Sequence, residues 1–118
     1  MNQRKELGQE GENMAARFLT DKGFEIVARN HREGRTEIDI IAQKEKLLVF
    51  VEVKARSSAL HGYPEEAVST AKAARIVAAA EQYISKTNWQ GLIRFDIVSI
   101  LVHKQQLQEI LHLEDAFY

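Results

Sequence analysis

The sequence predicts an α/β (α+β) fold, a mixed five-stranded sheet flanked by helices in the order αβββαββ. Three observations predict it. Leu7, Gly11, Met14 and Phe18 recur at three- and four-residue steps, as on one face of a helix. Two segments with period-two alternation, 34–42 and 47–54, follow one another across a short turn, the mark of a hairpin. A long alanine-rich stretch then precedes two more apolar segments, and a connection of that length suits a crossover helix.

The first helix is expected over residues 3–22, closed by Gly23. At 100° per residue Glu12 lies at the margin of its apolar stripe, beside Gly8, Ala15, Ala16 and Leu19; small neighbours allow a carboxylate there to approach a sheet. Residues 24–32 read as the first strand. The polar run 30–35 reads as a turn leading into the hairpin. A loop follows over 55–63. Pro64 stands where the second helix is expected to begin, since a first-turn proline has no N–H to waste, and that helix should reach about Lys86. The fourth strand is expected over 94–102 and the fifth over 107–113. Nothing reads as a linker, repeat or low-complexity segment, so residues 1–118 are expected to form one domain.

Composition narrows the function classes. Hydrophobic residues make up 45% and charged residues 28%, ordinary for a globular protein. No run of about 18 apolar residues suits a membrane span, and Met1-Asn2-Gln3-Arg4-Lys5-Glu6 lacks the apolar core of a secretory signal. The absence of cysteine excludes disulfides and thiolate metal sites. A cytoplasmic location is expected. Sixteen basic against seventeen acidic residues give no basic excess of the kind nucleic-acid binders usually show.

The hairpin carries the chemistry. Alternation places Ile38 and Ile40 on one face and Glu37 and Asp39 on the other. Across the turn, Val49, Val51 and Val53 share one face, and Phe50, Glu52 and Lys54 the opposite one. With the turn centred on Lys44-Glu45, Glu37 is expected opposite Glu52, and Asp39 diagonal to Glu52 at roughly 7–8 Å. Like charges so placed destabilise a sheet, and a divalent cation offsets them. Hydrolysing a phosphodiester needs such a cation to neutralise developing charge and activate water. Two carboxylates and a backbone carbonyl can hold it. A lysine two residues on, on the same face, can stabilise the attacking group. The bland alternative is a half-solvated strand on which Glu and Lys simply alternate with valine.

Asp39 followed by Glu52-Val53-Lys54 resembles the PD-(D/E)xK nuclease superfamily. The closer resemblance is to the small bacterial YraN family, nearly end to end. It is carried by Gly8-x-x-Gly11-Glu12-x-x-Ala15, Gly23-Phe24, Asn30, Glu37-Ile38-Asp39, Val49-Phe50-Val51-Glu52-Val53-Lys54-x-Arg56, Gly62-x-Pro64, Lys72, Arg94-Phe95-Asp96 and Asp115-Ala116-Phe117. Ile38 stands where the superfamily motif has proline, and Thr36 where the family is expected to have glycine. The resemblance implies a restriction-endonuclease-like core, similar to that of archaeal Holliday-junction resolvases. It implies Asp39 and Glu52 as metal ligands, the Val53 carbonyl completing them, and Lys54 as the catalytic lysine. Glu12 would reach the metal directly or through water. Glu37 would serve a second metal or a hydrogen bond. The metal would be Mg2+, with Mn2+ as the alternative. The partner would be DNA, branched forms included, cut by a homodimer. The alternative is a binding or adaptor module on the same scaffold, without catalysis.

Arg35, Arg56, Lys72, Arg75 and Arg94 are the candidates for phosphate contacts around the site, which position DNA without reading its sequence; Asn30 and Arg32 are weaker ones. The alternative for each is surface solubility. His31, His61, His103 and His112 lack metal-ligand spacing and read as surface or satisfied structural residues. Asp96 reads as structural, paired with neighbours on the Arg94 side, with a place near the site as the alternative. Trp89 and Tyr83 read as packing residues. Candidate apolar patches for a dimer are the alanine-rich helix and Ala116-Phe117-Tyr118.

Overall fold

In the computed structural model, which describes residues 3–57, 68–104 and 106–118, the order is αβββαββ, as the sequence predicts. The elements are α1 (Gln3–Asp21), β1 (Glu25–Glu33), β2 (Thr36–Lys44), β3 (Leu47–Arg56), α2 (Thr70–Thr87), β4 (Leu92–His103) and β5 (Gln106–Leu113). One sheet runs β1-β2-β3-β4-β5. Its pairs are antiparallel except β3 with β4, which are parallel, and α2 is the crossover between them. Among the described residues no helix is long and apolar enough to cross a membrane.

Each helix covers one face. On one side Ala15, Ala16 and Leu19 of α1 pack on Ile40, Val49, Val51, Val98, Ile100 and Val102. On the other, Ile76, Ala79 and Ala80 of α2 pack on Ile41, Leu48, Phe50 and Phe95. Phe50 is fully buried, stacked 5.4 Å from Phe95 and edge-on to Tyr83. A side chain of this size contributes about 1.5–3 kcal/mol when buried. Residues 48–52 are all buried. The half-solvated reading therefore fails for residues 48–52, where both faces are roofed, while Lys54 beyond them is exposed.

Helix boundaries follow local chemistry. Gly23 takes φ +97, and Phe24 N–H donates to the Leu19 carbonyl at 3.0 Å, closing α1 as expected. The second helix begins at Thr70, later than Pro64. Ser69 is extended, and its hydroxyl accepts the Lys72 N–H at 3.1 Å, so it is the N-cap. Pro64, Gly62 and His61 lie outside the described residues. The polar run after residue 29 is strand up to Glu33, with Asn30 at φ +51. Only Gly34 and Arg35 form the turn, between paired Glu33 and Thr36.

Candidate functional site

The hairpin register differs from the expected one by two residues. Lys44 pairs with Leu47, Ala42 with Val49 and Ile40 with Val51, so the turn residues are Glu45 and Lys46. Glu45 adopts φ +55, a conformation its side chain does not advertise. A shift of one would have turned the strand over, but a shift of two keeps Asp39 on the face of Glu52, where both line one cavity. Extended one step past its last pair, Ile40–Val51, this register would set Asp39, not Glu37, against Glu52. The two carboxylates share one cavity and act on each other electrostatically.

The ladder between β2 and β3 ends at Ile40 and Val51. Continued regularly, it would pair Ile38 with Val53. Instead the Asp39 carboxylate accepts the Val53 N–H at 2.8 Å. Strict alternation breaks there. Ile40 packs with α1, whereas Ile38 packs with the α2 cluster, so the expectation that they share a face does not hold. Because N–H and C=O of one strand residue point to the same edge, the Val53 carbonyl is directed toward β2, the Asp39 side.

Glu52 lies under α2. Its side chain is only 7% exposed, and its Oε1 is 2.5 Å from the Lys72 ammonium. Asp39 and Glu52 open, with Arg35, Thr36, Glu37, Lys72, Arg75 and Ile76, onto a cavity of about 270 Å³. Burial, and then the Glu52 charge, push the Asp39 carboxyl up to about 7, against the pull of the Val53 hydrogen bond and Lys72. A carboxylate held so far from its ordinary range marks a place where negative charge lacks compensation. Glu37 lines the cavity and accepts a hydrogen bond from Arg32 at 3.1 Å.

Glu12 reaches this region from the other face. Its carboxyl is pushed upward, first by burial and then by Asp39, and Arg29 opposes the shift. Arg29 Nη2 lies 3.3 Å from Glu12 Oε1 and 2.6 Å from Asn13 Oδ1. Gly11 lets the helix come this close. A Cβ added there would sit 2.5 Å from the Ala55 Cβ, an overlap no ordinary packing allows. Arg29 was not among the sequence candidates. It stands on a polar strand segment, and only the fold places it over Glu12.

Lys54 is exposed two residues beyond Glu52. Arg56 is half-buried, and its Nη2 donates to the Ser99 hydroxyl at 3.3 Å. Arg35, Lys72 and Arg75 line the cavity, so three of the five candidate phosphate contacts gather at the acid pair. Arg94 does not. It is fixed to Asp96 by two 2.9 Å hydrogen bonds and lies 3.4 Å from Glu114. Asp96 is fully buried and also accepts from the Asp115 N–H at 3.0 Å, with His112 Nε2 at 2.7 Å, so its role is structural. His31 lies 2.9 Å from Glu33 and edge-on to Tyr83, again structural. Trp89 packs against the α2 cluster.

The donors fit a hard divalent cation. Two carboxylates of adjacent strands converge where the ladder ends, and all the donors are oxygen. Among the described residues no group of three or more His, Asp and Glu side chains is arranged to hold a metal. The set would thus be Asp39, Glu52 and the Val53 carbonyl with water completing it, and magnesium ordinarily keeps several waters beside one or two carboxylates.

Comparison with known proteins follows the same stretch of chain. The model of a protein family described as "Uncharacterised protein family UPF0102" matches residues 11–100, from Gly11 into β4. A UPF0102 protein of Chloroherpeton thalassium is 38% identical over 125 residues, covering 99% of this chain and 97% of its own length. UPF0102 proteins of Flavobacterium psychrophilum and Bacteroides thetaiotaomicron are each 42% identical over 118 residues, covering 100% of this chain and 98% and 97% of their own lengths. A family match across most of the chain, with relatives alike from end to end, establishes that this protein belongs to UPF0102, the YraN family to which its motifs point.

Proposed function

We propose that this protein is a Mg2+-dependent endonuclease that hydrolyses DNA phosphodiester bonds, branched or recombination DNA among its substrates. The observation that carries the reading is the meeting of Asp39 and Glu52 at the end of the β2–β3 ladder, with Lys54 two residues on. Asp39, Glu52 and the Val53 carbonyl would hold the cation. When bound, it supplies charge neutralisation and a more acidic water. The chain's own residues do the rest. Lys54 stabilises the attacking oxygen and the developing charge on the phosphoryl group. Arg35 and Arg75, exposed at the cavity rim, hold flanking phosphates. Glu12 takes its place beside Asp39 under the control of Arg29. Mn2+ is the alternative metal, and two copies would be needed to cut two strands symmetrically.

A second reading, a nucleic-acid-binding or adaptor module without catalysis, is favoured by the net charge of −1, which is low for phosphate binding. A cleavage assay separates the two. Single-stranded, duplex, flapped and four-way-junction DNA are offered with Mg2+ and with Mn2+ to wild type and to Asp39→Asn. Metal-dependent cutting lost in the variant supports the nuclease. Binding without cutting supports the module.

A further inference from the structure

We infer that the Lys72 ammonium is an internal placeholder for the divalent cation, seated on Glu52 until a nucleic-acid phosphate draws it away. The inference rests on reading Asp39 and Glu52 as the cation site, and deepens it.

The Lys72–Glu52 pair is lopsided. The Glu52 side chain is 7% exposed and that of Lys72 42%. The carboxylate is walled in by the sheet and α2, while the ammonium keeps an open side toward solvent. Its backbone stays put, because the Lys72 N–H is tied to the Ser69 cap. Lysine suits this work. It is a hydrated point charge on a flexible stem, without the rigid fork by which arginine grips a carboxylate.

A metal and an ammonium repel each other at one carboxylate, so cation binding requires Lys72 to swing out. The same cavity has a use for it there. Arg35 and Arg75 line the wall, and among the described residues neither has an ion-pair partner. A phosphodiester entering between them competes with Glu52 for Lys72. Metal and phosphate thus both favour the swung-out lysine. Two ligands that select one state must tighten each other's binding reciprocally. Alone, the protein holds its metal weakly; with nucleic acid in place, it holds it well.

The test is a Mn2+ titration, read as free Mn2+ by electron paramagnetic resonance, on wild type, Lys72→Met, Lys72→Gln, Arg75→Met and Asp39→Asn. Methionine and glutamine preserve helix propensity at this exposed-face position. Freeing Glu52 should tighten Mn2+ about tenfold in both Lys72 variants, within the usual range of coupling between sites. Arg75→Met removes equal charge from the cavity without freeing Glu52, and should change affinity far less. In a Lys54→Ala background, fluorescence anisotropy of a labelled duplex should show Mn2+ tightening DNA binding, and the effect should shrink with Lys72→Met. Affinity unchanged or weakened in the Lys72 variants, yet still dependent on Asp39, overturns the placeholder and leaves the cation site standing. So does an Arg75→Met gain equal to theirs. No Mn2+ binding by any of the proteins overturns the cation site, and the placeholder with it.

Discussion

Asp39→Asn should make the metal-free protein more stable at pH 8, although it removes a residue proposed to be essential. The folded carboxyl sits at about 7, against an ordinary 3.8. Between those values the folded chain keeps a proton that the unfolded chain has shed. Stability attributable to this group is therefore full at acid pH, falls as pH rises through that window, and stays lost above 7. Roughly three pH units correspond to about 4 kcal/mol. Asp39 is only partly buried and shares the cost with Glu52, which brings the expectation to about 2 kcal/mol. Asparagine is close in size and still accepts the Val53 N–H. For a chain of this length, about 4 °C accompanies each kcal/mol, so the variant should melt about 8 °C higher at pH 8. The gap should nearly close at pH 4. Calorimetry in EDTA measures both points. A variant that melts lower than wild type at pH 8, or a gap equal at the two pH values, would refute the electrostatic reasoning. Added Mg2+ should then raise the melting temperature of wild type and leave the variant where it is.

Other expectations are simpler. Lys54→Ala should abolish Mg2+-dependent cleavage while Mn2+ affinity stays near the wild-type value; loss of both would move Lys54 from chemistry to folding. Gly11→Ala should destabilise by about 1–3 kcal/mol through overpacking, since its Cβ meets Ala55. Gly8→Ala, which meets nothing within 4 Å, should stabilise by up to about 1 kcal/mol in urea titrations. Asp96→Ala should cost about 3–5 kcal/mol by taking the main partner of Arg94 and leaving the buried His112 ring and the Asp115 N–H without their acceptor; a loss under 1 kcal/mol would show that water replaces the carboxylate.

Most of the fold was legible because its elements announce themselves locally. The period-two runs of the hairpin, the small-residue face of α1 and the alanine-rich crossover each state one element. What escaped was set by contacts distant in sequence or by backbone choices no residue type signals. Glu45 takes a left-handed conformation where glycine or asparagine would have flagged the turn, and so the register was read two residues short. Pro64 marked a plausible helix start, but the cap at Ser69 holds it later. Asp39 and Glu52 survived the register error because parity was preserved. Lys72 is legible as a cation; that it answers Glu52 across the crossover is not. Arg94 carried a signal that was available. An arginine two positions from an aspartate on one strand shares its face, and Asp96 captures it.

The parallel β3–β4 pair has a consequence for the order of assembly. Leu47 meets Leu92, partners roughly 45 positions apart, whereas Asp39 and Glu52 are joined by a tight hairpin turn. Short loops close first, and distant pairings wait on larger entropy losses. The two acids are thus expected to face each other early, in water, where their repulsion is weak and their charges well solvated. Docking of the crossover then dries the pair and delivers the Lys72 ammonium in the same step. Glu52 is therefore never dried without a counter-charge, because the roof that removes the water brings Lys72 with it, and the cost that remains falls on Asp39.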